Sequence, residues 1–166
     1  MPSLTADLLV LFRRDLQAFA REVALFPEDA ALWQTVPGIA NAGGTLALHV
    51  AGNLRHFVGA VLGNTGYIRD RAAEFGRRAG SRAEVAAELQ EALGCLEAVL
   101  PGLPDEVLGG PYPVPVAGLQ LPAARFLLHL ATHLAFHLGQ IGYLRRVLTG
   151  DPQSAGGMGL QDLALG

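Results

Sequence analysis

Apolar side chains recur at three- and four-residue spacing in four long stretches of this chain, the period of a helix with one buried face. In the first, Leu8, Leu11, Phe12, Ala18, Phe19, Val23 and Phe26 mark a helix that Ser3 or Thr5 can cap and that Pro27 ends. Glu28–Asn41 reads as a short helical turn and then a loop, with Pro37-Gly38 and Gly43-Gly44 as breakers. A second helix is predicted from Gly43 to Leu62, carrying Leu46, His49, Val50, Asn53, Leu54, Phe57 and Val61. Gly63-Asn64-Thr65-Gly66 is a turn. Tyr67–Gly80 is arginine-rich and reads as a loop with some helix.

A third helix starts at Ser81, where Ser81 and Glu84 form a capping-box pattern, and stops before Pro101. The interval to Leu121 is rich in proline and glycine and reads as a loop, with a short extended piece at Val114–Val116. Pro122 suits the first turn of a fourth helix that runs to Thr149, with Gly150 as its C-cap. The Gly-rich tail is expected to be loose, with a turn at Leu160–Leu165. Four such helices joined by loops predict an all-α four-helix bundle over residues 1–150 and a C-terminal tail over 151–166. The long loop before the fourth helix allows a crossover there.

Composition narrows the class. The 166 residues are one domain's worth, 51% hydrophobic and 16% charged, against a typical charged share of about 25%. The net charge is −3, all 12 basic residues are arginine, and no basic stripe forms, so no nucleic-acid partner is expected. Cys95, the single cysteine, is read as a small buried hydrophobe and excludes an intrachain disulfide, as expected of a cytoplasmic protein. No basic-then-apolar leader follows Met1 and Pro2. Between Arg125 and Arg145 lie 19 residues without a formal charge, near the length of a membrane span. His129, Thr132, His133, His137 and Gln140 interrupt that stretch, and such groups are costly in lipid, so a buried bundle helix is expected and no membrane partner.

The chemistry lies in the histidines. His129, His133 and His137 are spaced i, i+4, i+8, and each step of four turns the helix by only ~40°, so neighbours point the same way. An i, i+4 pair can put two imidazole nitrogens on one metal ion; the outer two are too far apart to share it. A third ligand must come from a facing helix. His49 is the better candidate because it is embedded among Leu46, Leu48 and Val50, whereas His56 lies nearer a helix end. His129 and His56 read as ordinary hydrogen-bonded residues, or as a fourth ligand closing the site. Asn53, one turn from His49, and Gln140 and Tyr143, close to His137, are candidate supporting groups together with His56. Arg55, Arg145 and Arg146 are either anion-binding groups or solvated helix-end charges.

The string Thr132-His133-Leu134-Ala135-Phe136-His137-Leu138-Gly139-Gln140 resembles the H-x-x-x-H-x-G-Q element on the last helix of the DinB-like superfamily. Leu48–His56 is similar to that superfamily's second-helix element, and Arg69-Asp70-Arg71…Glu74-Phe75 resembles a feature of one of its uncharacterised, YfiT-type branches. The resemblance implies a four-helix bundle, frequent homodimers, and a three-histidine metal site at His49, His133 and His137. Its characterised relatives are metal-dependent enzymes that use low-molecular-weight thiols, such as bacillithiol transferases and mycothiol-dependent maleylpyruvate isomerase. The functional expectation is therefore a thiol S-transferase or isomerase with a small-molecule substrate, or a hydrolase. The alternative is a stress-associated, metal-binding dimer without turnover. Three neutral imidazoles leave open coordination positions, and Zn or Ni is expected first, with Fe or Mn also suited to imidazole.

Overall fold

The structure, a computed structural model, describes residues 3–164. Met1, Pro2, Leu165 and Gly166 lie outside them, and with them the start of the expected leader-free N-terminus and the end of the expected terminal turn.

Six α-helices occur among the described residues: α1 (Leu4–Ala24), α2 (Gly43–Leu54), α3 (Arg71–Gly76), α4 (Arg82–Val99), α5 (Asp105–Gly109) and α6 (Ala123–Thr149). The four long ones form the bundle. α1 begins where the Ser3 hydroxyl accepts from Ala6 N, and it buries Leu8, Phe12, Leu16, Phe19 and Val23. The second helix has the predicted extent, but beyond Leu54 it winds as π-helical turns from Arg55 to Leu62. α4 carries the full capping box, Ser81 Oγ accepting from Glu84 N and Glu84 accepting from Ser81 N. A short 3-10 turn, Leu100–Gly102, carries the chain past the predicted stop at Pro101. α6 ends at Gly150 with φ +69°, a left-handed conformation that glycine adopts without penalty.

Side-chain pairings give the directions. Gly43 faces Ile141, His49 faces His137 and Phe57 faces Phe126, so α2 and α6 are antiparallel. Arg55 meets Glu88 and Gly59 meets Cys95, so α2 and α4 run parallel. α1 opposes α4, with Arg13 on Glu97 and Leu16 and Ala20 beside Leu89 and Leu93. The helices pack in the order α1–α4–α2–α6 around the bundle, which places α1 diagonal to α2 and α4 diagonal to α6.

Two consequences follow. The long loop before α6 crosses the diagonal at one end of the bundle, with Val116 bridging Leu119 where an extended piece was expected. The connection that travels the length of the bundle is residues 63–81, because α2 and α4 are parallel and the chain must return before α4 can start. α3 forms on this return, with Asp70 Oδ1 accepting from Ala73 N as its cap, and packs against α2.

The tail is not loose. Arg145, expected to be either solvated or anion-binding, is fully buried and donates to Glu22 at 2.5 Å. A guanidinium has further N–H groups to satisfy, and carbonyls of Asp151 and Gln153 accept them. The tail continues down α1: Arg21 donates to Ala155 O at 2.7 Å, and Ala155 is buried. A 3-10 turn at Gln161–Leu163 occupies part of the expected Leu160–Leu165 turn. No helix among the described residues is long and apolar enough to cross a membrane.

Removing one member of a buried ion pair leaves the other charge uncompensated, which costs about 3–5 kcal/mol. Arg145→Met should therefore destabilise the fold by that amount in denaturant titration, and adding Glu22→Leu should recover part of it. At the start of α4, Ser81→Ala should cost about 1 kcal/mol by the same measurement.

Candidate metal centre

His133 and His137 lie one turn apart on α6, beside the buried stripe of Leu130, Leu134, Leu138 and Ile141. Antiparallel packing brings His49 of α2 opposite them. His133 Nε2 is 3.2 Å from His49 Nε2 and 3.0 Å from His137 Nε2, and the three histidines each offer a nitrogen within 4.8 Å of the others. Zn–N bonds of 2.0–2.1 Å in a tetrahedral arrangement imply nitrogens about 3.4 Å apart. The donor set therefore suits a divalent cation in both chemistry and spacing.

Protonation favours the same use. Burial, reinforced by the positive charge that His137 and His49 would carry, pushes His133 down to about 4. His137 is also lowered, first by burial, against a raising contribution from Gln140. Neutral imidazoles are what a cation needs, since ligands must first lose their protons.

Two of the three histidines are held from behind. His137 Nδ1 lies 2.7 Å from Gln140 Oε1; donation there leaves Nε2 unprotonated and facing the cluster. Behind His49 stands Glu74 of α3, with Oε2 3.3 Å from His49 Nδ1. Arg69 donates to both carboxylate oxygens of Glu74 at 2.7 Å, and its Nη2 also lies 3.2 Å from His49 Nδ1. Burial acts to raise the Glu74 pKa, but hydrogen bonds from Arg69 and His49 outweigh it and hold the carboxyl below its ordinary value. The Phe75 ring covers His49 at 4.9 Å between centroids.

The other sequence candidates separate. Asn53 is buried on the same helix as His49, and its Oδ1 has no hydrogen-bond partner. His56 is half-buried against the Phe57 ring and takes no part in the cluster. His129 is exposed and stacks on Phe126, 6.0 Å from the His133 ring. Neither supplies a fourth ligand. Tyr143 is exposed; with Gln140, Ile39, Leu46, Leu144 and Val147 it lines a groove of about 570 Å³ between α6 and residues 36–41. None of the three clustered histidines lines this groove; Gln140 is the link between them. Arg55 is occupied by Glu88 at 2.7 Å and lies over the Tyr67 ring. Cys95 is half-buried, and burial raises its thiol pKa.

Glu74 and Arg69 were not assigned a role from the sequence. The signal was present only as charged residues in the return segment, in a string read for its resemblance and not for its position. Gly52 was missed as well: a Cβ there would overlap Glu74 Oε1.

No curated protein matches the chain. The DinB superfamily profile matches residues 9–141, which run from within α1 to within α6 and include α2 and the return segment. With most of the bundle, the second-helix histidine and the paired histidines of α6 inside that match, the chain belongs to the DinB superfamily.

Proposed function

We propose that this protein is a metal-dependent enzyme in which His49, His133 and His137 hold one divalent cation, Zn or Ni in the first instance. Its proposed reaction is an S-transfer or isomerisation of a small molecule with a low-molecular-weight thiol. The observation that carries this reading is the convergence of three imidazoles with no fourth histidine, cysteine or carboxylate joining them among the described residues. Such a set leaves coordination positions open, the pattern of catalytic and not of closed structural sites. Bound there, a divalent cation supplies Lewis acidity and lowers the pKa of a thiol or water brought to it.

The chain's own residues do the rest. His133 stays unprotonated at neutral pH, and Gln140 orients His137. The apolar groove beside Gln140 has the size and lining of a small-molecule site. A homodimer belongs to the same reading, supported by Phe136, Tyr143 and Val147, which share one exposed strip of α6. A second reading, cation binding without turnover, draws on one observation. Glu74, behind His49, is engaged by Arg69 through both oxygens and is not free to act as a base.

Elemental analysis of freshly purified protein tests the first step. About one equivalent of metal is expected in wild type and in His56→Ala, and none in His133→Ala, with circular dichroism confirming that each is folded. Conjugation of a small thiol to an electrophile should then be lost in His133→Ala. Failure to take up Zn, Ni, Fe or Mn in wild type would overturn the metal reading. Full metal occupancy without conjugation to any electrophile would favour binding without turnover.

A further inference from the structure

A neutral imidazole has one N–H and one lone pair, and which nitrogen carries the proton decides whether the other can ligate. His49 Nε2 faces His133, so ligation requires the proton on Nδ1. Two groups compete for that nitrogen. Glu74 Oε2, at 3.3 Å, can only accept and favours Nδ1–H. Arg69 Nη2, at 3.2 Å, can only donate and favours a bare Nδ1, which would put the proton on Nε2 and turn it toward the cluster.

We propose that Glu74 selects the ligating tautomer of His49 against the opposing donor Arg69, and that Gly52 belongs to the metal centre because its missing side chain makes room for that carboxylate. Both hydrogen bonds would be charge-assisted, so charge alone does not choose between them. Glu74 is favoured because Arg69 loses little by yielding, since its Nε and Nη2 already donate to Glu74 at 2.7 Å. The slot is narrow. Glu74 is 6% exposed, and any side chain at position 52 would meet its Oε1. Arg69 thus has two effects of opposite sign: it anchors the carboxylate, and it opposes the proton that the carboxylate draws to Nδ1. Glu74 and Arg69 are positioning residues, because both act through His49.

This inference rests on the metal reading above, but its first readout needs no metal. Long-range ¹H–¹⁵N NMR of the metal-free full chain reports the tautomer of His49 directly. Nδ1–H is expected in wild type and Nε2–H in Glu74→Leu. Zn²⁺ affinity, measured by chelator competition, should fall about 10- to 100-fold in Glu74→Leu. Relief of an uncompensated buried charge restores stability when both partners go, as for Glu22 and Arg145, without changing which His49 nitrogen carries the proton. Tautomer selection predicts more: Arg69→Met added to Glu74→Leu should restore part of the Nδ1–H population together with part of the lost Zn²⁺ affinity. Should Glu74→Leu fail to fold, Gly52→Ala displaces the carboxylate without altering it and should also weaken Zn²⁺ binding. An Nε2–H tautomer in wild type would overturn the inference. So would wild-type Zn²⁺ affinity in folded Glu74→Leu, or a double variant no tighter than the single. Absence of Zn²⁺ binding by a wild type that keeps Nδ1–H would overturn the metal reading while leaving the tautomer assignment standing.

Discussion

A polar layer lies between α2, α3 and α6 in a molecule that is otherwise packed with leucine, alanine and phenylalanine, and the candidate site depends on how that layer is satisfied. A buried polar group without a partner costs about 1–3 kcal/mol, and a buried charge costs more. Here the accounts close locally. Arg69 is neutralised by Glu74, Glu74 reaches His49, and His137 is matched by Gln140. Apart from Asn53 Oδ1, what is left over is concentrated at one place, three Nε2 atoms pointed at one another. His133 Nε2 can carry only one proton, yet it sits at hydrogen-bond distance from two other ring nitrogens. A shared cation would satisfy all three nitrogens at once.

The layer exists because of the bundle's connectivity. Had α2 and α4 been antiparallel, a short turn would have joined them and nothing would have stood behind His49. Because they are parallel, the chain has to travel back along the bundle between Leu62 and Ser81, and it does so past α2 at the level of the histidine. A six-residue helix is too short to be stable alone. α3 is fixed instead by the Asp70 cap, by the Arg69–Glu74 pair and by Phe75 against the His49 ring. The contacts that hold the return segment in place are therefore the same ones that hold His49.

Much of this was legible in the sequence where the cause is local. The Ser81–Glu84 capping box, the Gly150 C-cap and the apolar period of α1, α4 and α6 depend on near neighbours, and the helices lie where those signals put them. Helix geometry made the i, i+4 spacing of His133 and His137 readable, while the choice of that pair over His129–His133 rested on the resemblance, and that of His49 over His56 on its apolar neighbours and the resemblance. The rest depends on distance in the chain. Glu74 is 25 residues from His49, and its access depends on the absence of a side chain at Gly52. No periodicity announces either. The π-helical turns after Leu54 escaped for a different reason: the stretch is short, and residues four apart in it, such as Phe57 and Val61, still share a face, so the apolar pattern reads as ordinary helix. Arg145 followed the helix-end pattern of a solvated charge, and only the fold of the tail and the position of Glu22 make it a buried one.

Arg145 and Arg69 solve one problem in two places. Each is an arginine held by a glutamate on or against a bundle helix, and each fixes a peripheral segment, the tail in one case and α3 in the other. The choice of arginine has a physical basis. A guanidinium spreads several donors in a fixed plane, so it can meet a carboxylate and other acceptors together, while an ammonium is more strongly hydrated and loses more on burial. Arg145 uses this capacity on Glu22 and two tail carbonyls, and the result is purely architectural. Arg69 uses it on one carboxylate and leaves an N–H facing a ring nitrogen that should itself be a donor. The same device that closes the structure at one end of the bundle therefore leaves, beside His49, a residual opposition that only an ionised Glu74 resolves.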